Sequence, residues 1–212
     1  PPPTPPQRPP SPPPPPPPAP QPMSPGPHPA CLPDDRLLAQ CTVGTGRTGG
    51  PGGQNRNKVE TLIKLRHTAT GVESHAGERR SQMENKRVAL RRLRLSLAVA
   101  ARTRVPEGPV GSELWRSRRR EPPKHATAGS PPKSAWDSGG EGTLEINPDH
   151  HDYPAMLAEA LDVLAASGWD PKPASLRLNC SASQLVKLIK EHPPAFLMVN
   201  QQRVAFNLLP LK

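Results

Sequence analysis

Proline decides where this chain can fold. Of its 212 residues 34 are proline, and twenty of those fall within the first 33 positions, including an unbroken run from Pro12 to Pro18. Each proline locks φ and removes a backbone donor, so residues 1–33 are expected to sample extended polyproline conformations without a core. Only 33% of residues are apolar and 3% aromatic. That is too little to bury a core along the whole length, and folded islands between disordered stretches are the expectation.

The first island is expected at residues 34–104. Asp34 and Asp35 suit the start of a short turn through Leu37 and Leu38, followed by a strand around Gln40–Gly46. A Gly-rich loop, RTGGPGGQ, occupies Arg47–Gln54, and Asn57 suits the cap of a short helix carrying Val59 and Leu62. Ile63 and Leu65 alternate with Lys64 and Arg66, which reads as a strand, and Thr70-Gly71 turns the chain into a second one around Val72–Ala76. Ser81 with Glu84 three residues on makes a capping box for a long helix to about Ala101. Ala89, Leu90, Leu93, Leu97 and Ala100 form its apolar stripe, with Arg87, Arg91, Arg94 and Arg102 expected on the opposite side. The fold class expected is α+β.

Residues 105–147, rich in Pro, Gly, Ser and charge with a basic cluster at Arg116–Arg120, read as a flexible linker. From Pro148 to Lys212 the pattern is helical. Met156, Leu157, Ala160, Leu161 and Leu164 make a stripe ending near Gly168. Asp170-Pro171 caps another helix, and further helices cover Ser183–Glu191 and Ala195–Asn207. Ser175, Leu178, Asn179, Cys180, Leu185 and Leu188 fit the spacing of a helix-turn-helix, with Asn179 where a left-handed residue is needed and Ser183, Gln184, Lys187 and Lys190 facing outward. An ordinary helical bundle fits the same pattern.

The net charge is +10, and all of the excess lies in one place. Arg47–Arg104 holds fourteen Lys or Arg against four Glu, while the remainder carries fourteen of each sign. Such a basic region points to a polyanionic partner. Cys31, Cys41 and Cys180 are too dispersed for a metal site, so no metal or other cofactor is expected. With no apolar run long enough to span a membrane and no signal-peptide pattern, the expectation is a cytoplasmic, monomeric protein without a membrane partner.

On spacing alone, the four glycines and one proline of Gly49–Gly53 allow a flexible loop or a phosphate cradle, but the Gly-Lys-Ser/Thr ending of a P-loop is absent. The string GGPGGQNRNKVE at Gly49–Glu60, however, resembles the GGQ motif of class I peptide-chain release factors. The likeness continues through RHTATG at Arg66–Gly71 and RSQMENKRVAL at Arg80–Leu90, covering roughly Asp34–Arg102. It implies a small GGQ domain of strand, Gly-rich loop, short helix, β-hairpin and long basic helix. Its partners would be the ribosome, at the large-subunit rRNA of the peptidyl-transferase centre, and peptidyl-tRNA.

The resemblance places catalysis on Gly52, Gly53 and Gln54. Water attacks the ester joining peptide to tRNA, and the backbone N–H of Gln54 stabilises the charge that develops on oxygen. The glycines permit a backbone shape that a Cβ would strain. No His, Ser or Cys nucleophile is required. Arg47, Arg56, Lys58, Arg80, Lys86, Arg87, Arg91 and Arg94 are the expected RNA contacts, positioning the domain on phosphates without reading sequence.

Full-length release factors carry a codon-recognition domain ahead of the GGQ domain. Here a proline-rich stretch precedes it, so the expectation is release from stalled ribosomes without stop-codon reading. The chain departs from the best-known rescue type, which ends in a basic tail; this one ends NLLPLK. Two competitors are a non-catalytic ribosome- or RNA-binding protein and a nucleic-acid-binding regulator acting through the C-terminal helices.

Overall fold

The computed structural model describes residues 26–47, 60–120, 143–144 and 147–212. Within them the protein combines helices with one three-stranded antiparallel sheet, an α+β arrangement. Of the residues 1–33 expected to be disordered, 1–25 lie outside the described residues, as do the short helix capped by Asn57 and most of the stretch 121–146, whereas 26–33 are ordered because His28 and Ala30 are buried against the fold.

A 3-10 turn, Pro29–Cys31, leads into helix α1, Asp34–Ala39. Strand β1, Cys41–Gly46, pairs with β2, Leu62–His67, from Cys41↔His67 to Gly46↔Leu62, and β2 pairs with β3, Glu73–Ala76. On β2 the alternation is plain: Ile63, Leu65 and His67 are buried, Lys64 and Arg66 exposed. One face of the strand therefore packs and the other meets water. The turn into β3 is set by Gly71 at φ 70° and by His67, whose ring nitrogens lie 2.8 Å from Thr70 Oγ1 and 3.1 Å from Gln40 Oε1. Burial lowers the pKa of this imidazole, and it ties the hairpin to the end of α1.

Helix α2, Gln82–Ala100, begins as the sequence indicates, with Ser81 Oγ accepting from Glu84 N. Its buried residues are Asn85, Ala89, Leu90, Leu93, Leu97 and Ala98. Two expectations about its faces need correction, because Ala100 is exposed and Arg102 is buried at 7% exposure. The physical reason is that α2 is covered twice. It lies on β2 and β3 and also against a second helix, α4, Tyr153–Ala166, and the Pro29–Cys31 turn. A single apolar stripe describes a helix with one neighbour.

Between them the chain is pinned. Helix α3, Glu113–Ser117, buries Trp115 to 1% exposure, with its indole N–H donating to Leu178 O at 2.9 Å. Ser112 N and Oγ both donate to Glu159 at 2.6 Å, and Arg177 donates to Pro106 O and Gly108 O. Residues 105–120, inside the stretch read from sequence as a linker, thus run as a strap over the helices. It ends in a two-residue strand, β4, Arg119–Arg120, paired with β5, Thr143–Leu144.

Helices α5, Pro171–Leu178, α6, Ala182–Lys190, and α7, Pro193–Ala205, complete the fold. Asp170 caps α5 by accepting from Lys172 N, and Ser181 caps α6 by accepting from Gln184 N. Asn179 sits between them at φ 51°, ψ 51°, the left-handed conformation a sharp helix–helix turn requires. Leu178, Leu185, Leu188 and Val199 join the sheet and α2 in one buried cluster.

Candidate functional site

The Gly-rich loop leaves the sheet where β1 and β2 end, at the Gly46↔Leu62 pair. Gly52, Gly53, Gln54, Arg56 and Lys58 lie outside the described residues. The two ends of the loop are described, and they are held in three ways.

First, Arg47 Nε lies 3.6 Å from Glu60 Oε1, and Thr45 Oγ1 donates to Glu60 Oε2 at 3.4 Å. This links the outgoing and returning strands across the base of the loop. Both side chains of the ion pair are more than half exposed, so it adds little stability. Second, the side chain of Gln82, in the first turn of α2, donates to Glu60 O at 3.2 Å. Third, Asn85 is completely buried. Its Nδ2 donates to Thr61 O at 2.7 Å and to Arg79 O at 2.9 Å, while its Oδ1 accepts from Arg79 N at 2.9 Å. One amide thus satisfies three backbone groups from two segments that meet at the helix N-terminus.

Neither Gln82 nor Asn85 stood out in the sequence as a functional residue. A signal was present for Asn85: it sits four residues before Ala89 and eight before Leu93, on the apolar stripe, where a polar side chain needs partners.

The arginine and lysine positions divide into two groups. Arg80, Lys86 and Arg87 are exposed and form no ion pair with a described residue. Arg91 and Arg94 are turned to structural use. Arg91 Nη2 donates to Pro148 O at 2.5 Å and lies 3.3 Å from Asp149 Oδ1. Arg94, its side chain only 13% exposed, donates to Ala30 O and Asp34 Oδ1, each at 2.6 Å. Arg102 donates to Ala98 O, Ala101 O and Val99 O. The expected outward row of guanidinium groups is therefore reduced to its N-terminal end, beside the loop, because the C-terminal half of that face meets α4 and the residues before α1.

Titratable groups with shifted pKa values lie elsewhere. Burial pushes Asp162 up to about 6 and holds His28 down to about 4. Cys180, which is buried, is raised to about 12 by that burial, so it is not a poised nucleophile. His150, His151 and Asp152 bring three potential metal-ligand atoms within 4.8 Å of one another. Asp152 Oδ2 there already lies 2.5 Å from Arg118 Nη2, whose positive charge opposes a cation. No helix among the described residues is long and apolar enough to cross a membrane.

A family model described as RF-1 domain matches residues 38–120, which takes in the sheet, the loop, α2 and the strap. The chain is 53% identical over 55 residues to the chloroplastic peptide chain release factor PrfB1 of Arabidopsis thaliana, covering 26% of this chain and 12% of that protein. It is 44% identical over 55 residues to peptide chain release factor 1 of Chlorobaculum tepidum, covering 26% of this chain and 15% of the relative. With peptide chain release factor 1 of Akkermansia muciniphila the identity is 36% over 75 residues, 35% of this chain and 20% of the relative. The chain thus spans only between 12% and 20% of the length of these relatives.

Proposed function

Because its RF-1 domain at residues 38–120 makes this chain a member of the class I peptide-chain release factor family, we propose that it hydrolyses the ester of peptidyl-tRNA on the ribosome and releases nascent peptide without reading a stop codon. The observation that carries this reading is the mounting of the Gly-rich loop. The segment bearing Gly52, Gly53 and Gln54 springs from a paired strand end, and its return is tied by Gln82 and Asn85 to the start of a buried helix. A backbone donor stabilises a developing oxyanion only if it is positioned beforehand. A rigid stem supports such positioning, with the N–H of Gln54 as the donor and the two glycines giving it access to the ester. The rRNA supplies the remainder of the site, so this chain needs no nucleophile or metal of its own.

Arg80, Lys86 and Arg87 are then the exposed cations beside the stem that meet rRNA or tRNA phosphates, together with Arg47, Arg56 and Lys58 around the loop. Arg91 and Arg94 hold the domain's own parts together instead. The catalytic unit is assigned to residues 34–104, and the setting is the cytoplasm. Codon independence is supported by the character of the α5–turn–α6 unit, whose exposed cations Lys172, Lys187 and Lys190 suit backbone phosphates. Its one amide in a reading position, Gln184, accepts from Leu144 N.

The test is release of labelled peptide from ribosomes stalled on a truncated message, compared with ribosomes paused at a stop codon. Equal release from both is expected. Release confined to the stop codon would overturn codon independence, and none from either would overturn the hydrolytic reading in favour of a binding protein.

A further inference from the structure

The C-terminal helices balance to zero charge, yet their charges are segregated. Residues 148–170 carry five acids (Asp149, Asp152, Glu159, Asp162, Asp170) and no Lys or Arg. Residues 171–212 carry six cations and one acid, Glu191. Each of the five acids is engaged inside the protein. Asp149 pairs with Arg91 and Asp152 with Arg118, Glu159 accepts from Ser112, Asp162 from Thr103, and Asp170 from the N–H of Lys172. The lysines are not matched in this way. Lys172, Lys187 and Lys190 are exposed, and none forms an ion pair with a described residue.

These three lysines line one open cleft of about 590 Å³ between the start of α5 and the outer side of α6, with Ser183, Val186 and Lys212. Asp170 and Arg203 also border it but are occupied. Asp170 caps α5, and Arg203 donates to Leu209 O and Trp169 O. Lys190 has its ammonium 5.6 Å from the centre of the Phe196 ring.

Three exposed lysines lining one concave surface, against the single bordering carboxylate of Asp170, which is taken up in capping α5, make a site for closely spaced phosphates. We infer that the cleft formed by Lys172, Lys187 and Lys190 binds the phosphodiester backbone of an RNA strand, giving the protein a second RNA contact apart from the Gly-rich loop. The α5–turn–α6 unit has helix-turn-helix spacing, but the exposed lysines on it favour phosphate contact over base reading. Gln184, the amide side chain of α6, is committed to Leu144 N, which leaves Ser183 and point charges facing outward. Lysines on flexible stems fit phosphates without selecting sequence.

The choice of RNA over DNA rests on the ribosomal function proposed above; the phosphate contact itself does not. Tethering two RNA contacts in one chain raises the effective concentration of the second once the first is made. The loop would then act mainly where both surfaces find RNA.

The test uses the full chain with Lys172, Lys187 and Lys190 changed together to Gln. All three are exposed, and circular dichroism checks that the fold is retained. Binding to a fluorescent oligouridylate is measured by anisotropy from low to high salt. Each phosphate contact on a single strand contributes about 0.7 to the slope of log K against log salt. The triple variant should therefore lose about 2 from the slope and bind at least tenfold more weakly at low salt. An unchanged slope would overturn the inference, as would a strong preference for one duplex DNA sequence, which would favour a regulator. Peptide release by the unaltered protein is followed separately. Its absence, with the slope change intact, would refute hydrolysis while leaving the phosphate cleft standing.

Discussion

Replacing Asn85 by alanine removes one side chain and strands three backbone groups: Thr61 O and Arg79 O lose a donor, and Arg79 N loses an acceptor. The site is completely buried. At a net value of about 1 kcal/mol for each hydrogen bond, the loss is about 3 kcal/mol, reduced to about 2 kcal/mol if water enters the vacated space. Asn85→Asp sharpens the test. A carboxylate still accepts from Arg79 N, but it sets negative oxygen against the two carbonyls that Nδ2 now serves. Asn85→Asp should therefore cost at least as much as Asn85→Ala at neutral pH, although aspartate is nearly the same size as asparagine. Urea unfolding followed by circular dichroism measures both costs. Because the same amide anchors the strand returning from the loop, peptide release should fall further than the unfolded fraction explains. A cost below about 0.5 kcal/mol for Asn85→Ala, or an aspartate variant as stable as the parent, would refute this account of the stem.

Gly53→Ala should abolish peptide release, since losing one oxyanion donor costs about 2.7–4 kcal/mol in enzymes, while ribosome cosedimentation survives. Arg87→Gln should lower the salt slope of ribosome binding by about 1 and leave urea stability unchanged. Arg94→Gln should instead cost about 1–2 kcal/mol in urea unfolding, because its guanidinium is buried against Ala30 O and Asp34. Asp162, at about 6 in the fold against an ordinary value of 3.8, holds its proton more tightly folded than unfolded, so its contribution to stability falls as pH rises from about 4 to 6. His28, lowered to about 4, acts in the opposite sense over the same range. Asp162→Asn should therefore uncover a rise in stability with pH of up to about 3 kcal/mol that the parent protein masks, measured by urea titrations from pH 4 to 6.5.

Some of this was open to reading from the residues. The alternation of Ile63 and Leu65 with Lys64 and Arg66 reports a half-buried strand, because a strand's two faces see different solvents and its period is two. Ser81 announces the start of α2, since capping is a local interaction between residues three apart. Asn179 announces the α5–α6 turn for the same kind of reason. Burial of Arg94 and Arg102 was not legible, because it depends on α4 and residues 26–34 arriving from elsewhere in the sequence. Trp115 was hidden by its company, a single aromatic among Pro, Gly and Arg. The loop residues were singled out only through resemblance and lie outside the described residues, while the clamps at Gln82 and Asn85 became visible once strand and helix were side by side.

Helix α2 has consequences for how the protein can come apart. One side of it supports the sheet that carries the loop, and the other is covered by α4, with Arg91 and Arg94 reaching past it to Pro148 and Ala30. Removing residues 148–212 would leave a long apolar flank facing water and the Arg91 guanidinium without its acceptors at Pro148 and Asp149. Residues 34–104 should therefore not behave as a detachable catalytic fragment. The sheet and the C-terminal helices should instead melt in one transition, with the central amides of α2 exchanging their hydrogens only when the whole molecule opens. The rigidity of the loop's mount would then depend on helices far from it in the chain, and a cavity cut at Leu157 or Leu161 would loosen Thr61 without touching it.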